Sequence, residues 1–300
     1  DWWLRIQIAA ILTAGIGLPR LLRPHYATCW ANIGHHFTKQ GEYDHAEVAL
    51  RRALELAPDS HLARLGIGSV LLRQDRPQEA LEHLRRAVQL DPDSADAHTN
   101  LGVALVRVGD FEAGVEHLRR SRELQPDQAG VYYNWGLALI QRGRFAEAAQ
   151  QLGQALQSAP GDRDRFQEVA DLWAAHDQSE RSIAVLRQAL GRWPESPAFL
   201  DALAQQLATG SQKELRDGPE AVRLAQRACH LTGHLDPQML QTLATAWAEA
   251  GQLHRAIEVA RQARTVAVDT GHTTLVQRLD VLLEELTQRQ STSPPPPQNP

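Results

Sequence analysis

Apolar and small residues return on a 34-residue cycle along this chain. Residues 27–60 carry it most clearly, with Trp30, Ile33, Gly34 and Phe37 in the first half and Ala46, Leu50 and Ala53 in the second, before Pro58. Steps of three and four residues put each set on one face of a helix, so every cycle predicts two amphipathic helices, A and B. Gly41, Gly109 and Gly143 fall between the halves, where a helix ends in a left-handed residue. Six prolines, Pro24, Pro58, Pro92, Pro126, Pro160 and Pro194, keep the same 34-residue spacing. A fixed period of that length marks a stacked helical repeat, which grows in one dimension and needs no division into separate cores.

Seven units follow: 27–60, 61–94, 95–128, 129–162, 163–196, 197–236 and 237–270. Gly68, Gly102 and Gly136 are expected to let helices A and B approach closely, opposite small residues such as Ala80 and Ala148; Gly114 takes that place in the third unit. The fifth unit has Ala170 and Ser182 where Gly and Ala are expected, and the sixth lengthens its A–B turn over 209–218 before Pro219 opens helix B. After the array, Leu275, Leu279, Leu282, Leu283 and Leu286 form one helical stripe, with Arg278, Asp280, Glu284 and Glu285 outside it. This predicts a capping helix over 271–290 that hides the end of the last repeat. The tail 291–300 contains four consecutive prolines and cannot bury a core, so an extended, disordered segment is expected there.

A bulky residue, a Leu-Gly pair, an aromatic, a small residue, a large apolar residue and a proline, in that order, resemble the tetratricopeptide-repeat (TPR) family, as in Trp30, Ile33-Gly34, Phe37, Ala46, Leu50 and Pro58. The resemblance implies an all-α, right-handed α-solenoid (superhelix) of about seven helix-turn-helix units with a C-terminal cap. It also implies a scaffold that binds a peptide or protein segment in the concave face lined by helices A. Carried over position by position, the groove residues are Asn32, His35, Lys39, Leu62, Leu65, Arg73, Asn100, Val103, Arg107, Tyr133, Asn134 and Leu137. Asn32, Asn100 and Asn134 share one position, and an amide donates to and accepts from a peptide backbone at once. This is similar to the asparagine ladder in the TPR region of O-linked N-acetylglucosamine transferases, interrupted here by Gly66; equally, Asn-Leu-Gly is a common spelling of the repeat. Lys39, Arg73 and Arg107 form an expected basic edge around an apolar floor, while Asp164, Glu168, Asp171, Asp201 and Glu249 make the later units acidic. The chaperone-binding carboxylate clamp does not fit, because its Lys and Asn in the first unit fall on Ala31 and His35.

Composition narrows the chemistry. A net charge of -5 gives no basic field for nucleic acid. Cys29 and Cys229 lie in different units and make neither a disulfide framework nor a ligand pair. His35 and His36 point about 100° apart on a helix, so no metal site is expected. Gly66-Ile67-Gly68 starts like a dinucleotide fingerprint, but Leu71 stands where the third glycine belongs. No catalytic motif and no cofactor are implied. Residues 2–18 hold one charge, Arg5, and the segment 1–26 is expected to be a membrane anchor or the end of a transmembrane helix; a buried cap and a signal remnant stay open. Arg20 and Arg23 would then leave the array on the cytoplasmic side, and without an anchor the protein would be cytoplasmic. Because the chain opens on Asp1, a further expectation is the C-terminal TPR region of a membrane-bound glycosyltransferase whose catalytic part lies upstream.

Overall fold

The computed structural model describes residues 23–292, and among these every regular element is helical. Fifteen α-helices follow one another: α1 (Arg23–Gln40), α2 (Tyr43–Leu56), α3 (His61–Arg73), α4 (Pro77–Leu90), α5 (Ala95–Arg107), α6 (Phe111–Leu124), α7 (Ala129–Gln141), α8 (Phe145–Ser158), α9 (Arg163–Ala175), α10 (Ser179–Arg192), α11 (Pro197–Thr209), α12 (Gly218–Leu231), α13 (Pro237–Glu249), α14 (Leu253–Asp269) and α15 (Thr273–Thr292). Each odd-numbered helix up to α13 pairs with its successor, and α15 packs on α14. They gather into two compact units that divide between Ala159 and Pro160, α1–α8 and α9–α15.

Local chemistry sets the helix ends. Ser60, Ser94 and Ser196 accept hydrogen bonds from the backbone N–H of Ala63, Ala97 and Phe199, and Asp162 caps α9 through Arg165 N–H at 3.0 Å. The A–B turns pass through the left-handed region at Gly41, Gly109 and Gly143. In the second and fifth repeats Asp75 (φ 56°) and Asp177 (φ 58°) take that place, a conformation that Asp tolerates better than most residues. The sixth repeat replaces the turn altogether. Its loop contains a 3-10 turn, Lys213–Leu215, and is pinned where Gln212 Oε1 accepts from Glu180 N–H at 3.0 Å and Arg216 Nε donates to the Gly210 carbonyl at 2.9 Å.

Packing then depends on alternating size. A Cβ at Gly136 would lie 2.6 Å from Leu152 Cγ, so α7 and α8 touch only because position 136 has no side chain. In the third repeat Gly102 faces Gly114, and a Cβ at 102 would meet the Gly114 carbonyl oxygen at 2.8 Å. The core of the first unit is built from Trp30, Ile33, Leu50, Ile67, Leu71 and Leu84, and that of the second from Phe166, Trp173, Leu186, Phe199, Leu200 and Leu203. Each such side chain contributes about 1.5–3 kcal/mol by leaving water. The departures in the fifth repeat answer each other, since the Ser182 hydroxyl donates to the Ala170 carbonyl at 2.9 Å. Consecutive repeats are tied on the B side by Arg86 to Asp59 (2.5 Å) and Arg120 to Asp93 (3.3 Å). These pairs are exposed, so they register neighbours more than they stabilise them.

Two expected boundaries move. α1 includes residues 23–26, ahead of the first repeat's expected start at 27. α15 continues through Ser291 and Thr292, whose hydroxyls donate back to the Gln288 carbonyl, so these two residues extend the cap instead of opening the tail. The stretch 2–18 and the prolines of the tail lie outside the described residues. Among the described residues no helix is long and apolar enough to cross a membrane.

Candidate functional site

The A helices of the first four repeats, α1, α3, α5 and α7, border a cavity of about 520 Å³ in the first unit. That volume lies in the range of small-molecule and side-chain sites. Six of the sequence-derived groove residues meet there: Asn32, His35, Leu62, Leu65, Asn100 and Asn134. The three asparagines sit one repeat apart on successive helices because the helical register repeats with the sequence. Among the described residues none of their side-chain amides has a hydrogen-bond partner. Leu62 is 56% exposed beside them, in a chain that buries most of its large aliphatic residues.

Helix register explains most of what the sequence left out. Thr99, Asp96 and Ser69 border the cavity at the same repeat positions as residues already assigned, so uniform use of the period would have found them. Leu50 reaches it from helix α2, and Gln128 from the loop before α7, and no A-helix pattern signals either. Gln128 Nε2 donates to Asp96 Oδ1 at 2.8 Å, which occupies that carboxylate. Thr99 is turned inward: its hydroxyl donates to the Ala95 carbonyl and lies 2.7 Å from the Ser121 hydroxyl.

The remaining groove candidates do not line this cavity. Tyr133 and Leu137 are half-buried on α7, and Val103 packs partly against the core. The expected basic edge is split. Lys39 and Arg73 are exposed at the ends of α1 and α3, whereas Arg107 Nη1 donates to the Leu72 carbonyl at 2.7 Å and approaches Asp75 Oδ1 at 3.6 Å. Arg107 thus caps the C-terminal end of α3, where a cation meets the negative end of the helix dipole.

The expected acidic face of the second unit also divides. Asp164, Glu168 and Asp171 are exposed, with Asp171 accepting from Gln167 Nε2 at 2.9 Å and Glu168 3.4 Å from Arg165. Glu249 lies 3.7 Å from Arg216. Asp201 is no surface charge: burial pushes its carboxyl up to about 6 against the opposing Thr242 hydroxyl, and its Oδ1 lacks a hydrogen-bond partner.

Titratable chemistry elsewhere centres on His98 and His117, whose Nδ1 atoms lie 2.9 Å apart between α5 and α6. His98 Nε2 is 3.1 Å from the Pro92 carbonyl, which can only accept. His98 therefore carries its proton on Nε2 and receives a hydrogen bond from His117 Nδ1–H. Burial holds both imidazoles below the usual histidine range, with the partner ring adding to the effect at His117. Among the described residues no three His, Cys, Asp or Glu side chains come together as a metal site.

Comparison with known proteins bears on the repeats directly. The tetratricopeptide-repeat family matches residues 32–95, 71–134 and 129–162. No curated protein matches the chain. Among solved structures, yeast Tom70 superposes with a TM-score of 0.54 at 14% identity, over 96% of this chain and 58% of that one. Pseudomonas aeruginosa pilF gives 0.52 at 21% identity over 70% and 93% of the two chains. TTC0263 of Thermus thermophilus gives 0.50 at 22% identity over 60% and 98%. At these identities the likeness speaks to the fold alone. With the repeat motif, the helix pairs and the family matches in agreement, residues 32–162 of this chain are tetratricopeptide repeats.

Proposed function

We propose that the protein is an interaction scaffold that holds an extended peptide or protein segment in the groove of its first unit. The observation that carries this reading is the set of three unpartnered amides, Asn32, Asn100 and Asn134, on one cavity beside an exposed leucine. In the free chain these amides face water, and a bound backbone would take the place of that water while covering Leu62. Replacing Asn100 and Asn134 together by Ala removes two bonding groups while favouring the helix. At about 0.5–1.5 kcal/mol each, the pair should weaken capture of a partner roughly tenfold with helicity unchanged. Pull-down from the native host with wild type and the double variant, at low and high salt, tests this. Equal yields and identical partners would place the binding surface elsewhere, on the B helices or the loop 209–218. The stretch 2–18 would supply membrane attachment, to be tested by comparing detergent partition of the full chain with a chain starting at Tyr26.

A further inference from the structure

The fourth position of helix A carries an aromatic ring in three repeats, as Trp30, Tyr132 and Phe166. In the second and third repeats it is polar, and there it meets a histidine of helix B. Arg64 Nη1 donates to His83 Nδ1 at 3.4 Å, while its Nε donates to the Pro58 carbonyl at 3.2 Å. One repeat on, His98 stands in the place of Arg64, His117 in that of His83 and Pro92 in that of Pro58. The contacts are the same: His98 Nε2–H donates to the Pro92 carbonyl at 3.1 Å, and the two Nδ1 atoms lie 2.9 Å apart. The chemistry differs. A guanidinium has no lone pair to give, whereas His98 presents one on Nδ1, and its Nε2–H is fixed by a backbone carbonyl, the bond that ordinarily orients a metal-ligating imidazole.

We propose that His98 and His117 form a two-histidine site for copper(II) or nickel(II) that clasps α5 to α6. The separation of the nitrogens carries the choice of ion. Imidazole nitrogens bind such ions at about 2.0–2.1 Å, so two of them at a right angle on one ion stand about 2.9 Å apart, and at a tetrahedral angle about 3.3 Å. The right angle fits square-planar copper(II) or nickel(II), with water in the other positions. The helices therefore keep their spacing. The proton now between the rings moves to Nε2 of His117, whose half-exposed ring turns toward the ion, and none is released. His98, 7% exposed, stays on the Pro92 carbonyl. Charge does not oppose a cation, because Arg85 and Arg120 beside the rings are matched by Asp93 and Glu116. The site stands apart from the groove reading, although α5 carries both His98 and Asn100 and a clasp on it would stiffen one wall of the cavity.

The second repeat supplies the control. His98→Arg rebuilds the arrangement of Arg64 and His83, so it should fold as wild type by circular dichroism while losing the chelate; Arg64→His should create a second one. Calorimetric titration of the untagged full chain with copper(II) reads both. Wild type should bind one copper(II) above the weak background of its other histidines, with two nitrogen ligands in the electron paramagnetic resonance spectrum. His98→Arg should weaken that equivalent about 100-fold or more, beyond what loss of an outer-shell partner costs, and Arg64→His should bind two. Copper(II) should raise the urea midpoint of wild type, since only the folded chain holds the two rings together, and leave that of His98→Arg in place. A folded His98→Arg that keeps the equivalent, or a wild type with none, would overturn the site. So would an Arg64→His that gains nothing, which tests the spacing even where His98→Arg fails to fold.

Discussion

Gly136 and Gly153 lie in the same helix pair, α7 and α8, and the structure gives them opposite responses to a methyl group. A Cβ at Gly136 would sit 2.6 Å from Leu152 Cγ and 2.7 Å from its Cδ2, whereas a Cβ at Gly153 would have nothing within 4 Å. Carbon atoms attract best at about 3.5–4.0 Å, so the overlap at 136 is roughly 1 Å. Cγ is a branch point that χ2 rotation does not move, and Leu152 is 1% exposed, so the strain passes to the helix spacing. Overpacking of this kind costs about 1–3 kcal/mol. Both substitutions gain the same helix propensity, about 1 kcal/mol for Gly→Ala. Gly153→Ala should therefore stabilise by about 1 kcal/mol, while Gly136→Ala should be neutral to about 2 kcal/mol destabilised. The difference between them isolates the contact. Urea unfolding followed by helical ellipticity measures it: at slopes of about 1–3 kcal/mol/M, the midpoints should separate by roughly 1 M. A midpoint for Gly136→Ala equal to or above that of Gly153→Ala would refute the close approach of the two helices at this glycine.

Three further outcomes follow from buried titratable groups. His98 and His117 resist protonation when folded, so the unfolded chain binds more protons below about pH 6.5 and stability should fall as pH drops through that region; His117→Gln, which keeps a donor, should flatten this part of a pH series of unfolding midpoints. Asp201 has the opposite sign: its folded value near 6 exceeds the usual 3.8, so native protons are held across that window and stability is lost as pH rises through it. Asp201→Asn should recover on the order of 2 kcal/mol at pH 7 and little at pH 4, measured by denaturant titration at both. Cys229 is fully buried and its thiol is pushed up to about 12, while Cys29 is half-buried. A thiol reagent at pH 8 should label Cys29 in the native protein and Cys229 only on unfolding, as mass spectrometry of the modified peptides would report; native labelling of Cys229 would contradict its packing.

The 34-residue cycle determined the helix pairs by itself, because helical periodicity and end signals are local: Trp30, Ile33 and Phe37 face one side whatever lies beyond, and Ser60 or Ser94 caps its own helix. The small positions were legible for the same reason, since Gly68 and Gly136 recur in register. Even the asparagine row was a register statement about equivalent positions. What those positions do together needed the packing of several helices. Leu50 reaches the cavity from α2 and forces residue 66 to be glycine, a relation between residues in different repeats that no single helix pattern contains. Arg107 was read as part of a basic edge, yet its long side chain turns to the Leu72 carbonyl; Asp201 was read as surface charge, yet neighbouring helices bury it. The division at Ala159 is likewise absent from the period, which runs through it unchanged. Sequence specifies the face on which a residue lies. The depth to which that face is covered, and the partner that a flexible arginine or a buried carboxylate meets there, depend on distances between helices that only the folded chain sets.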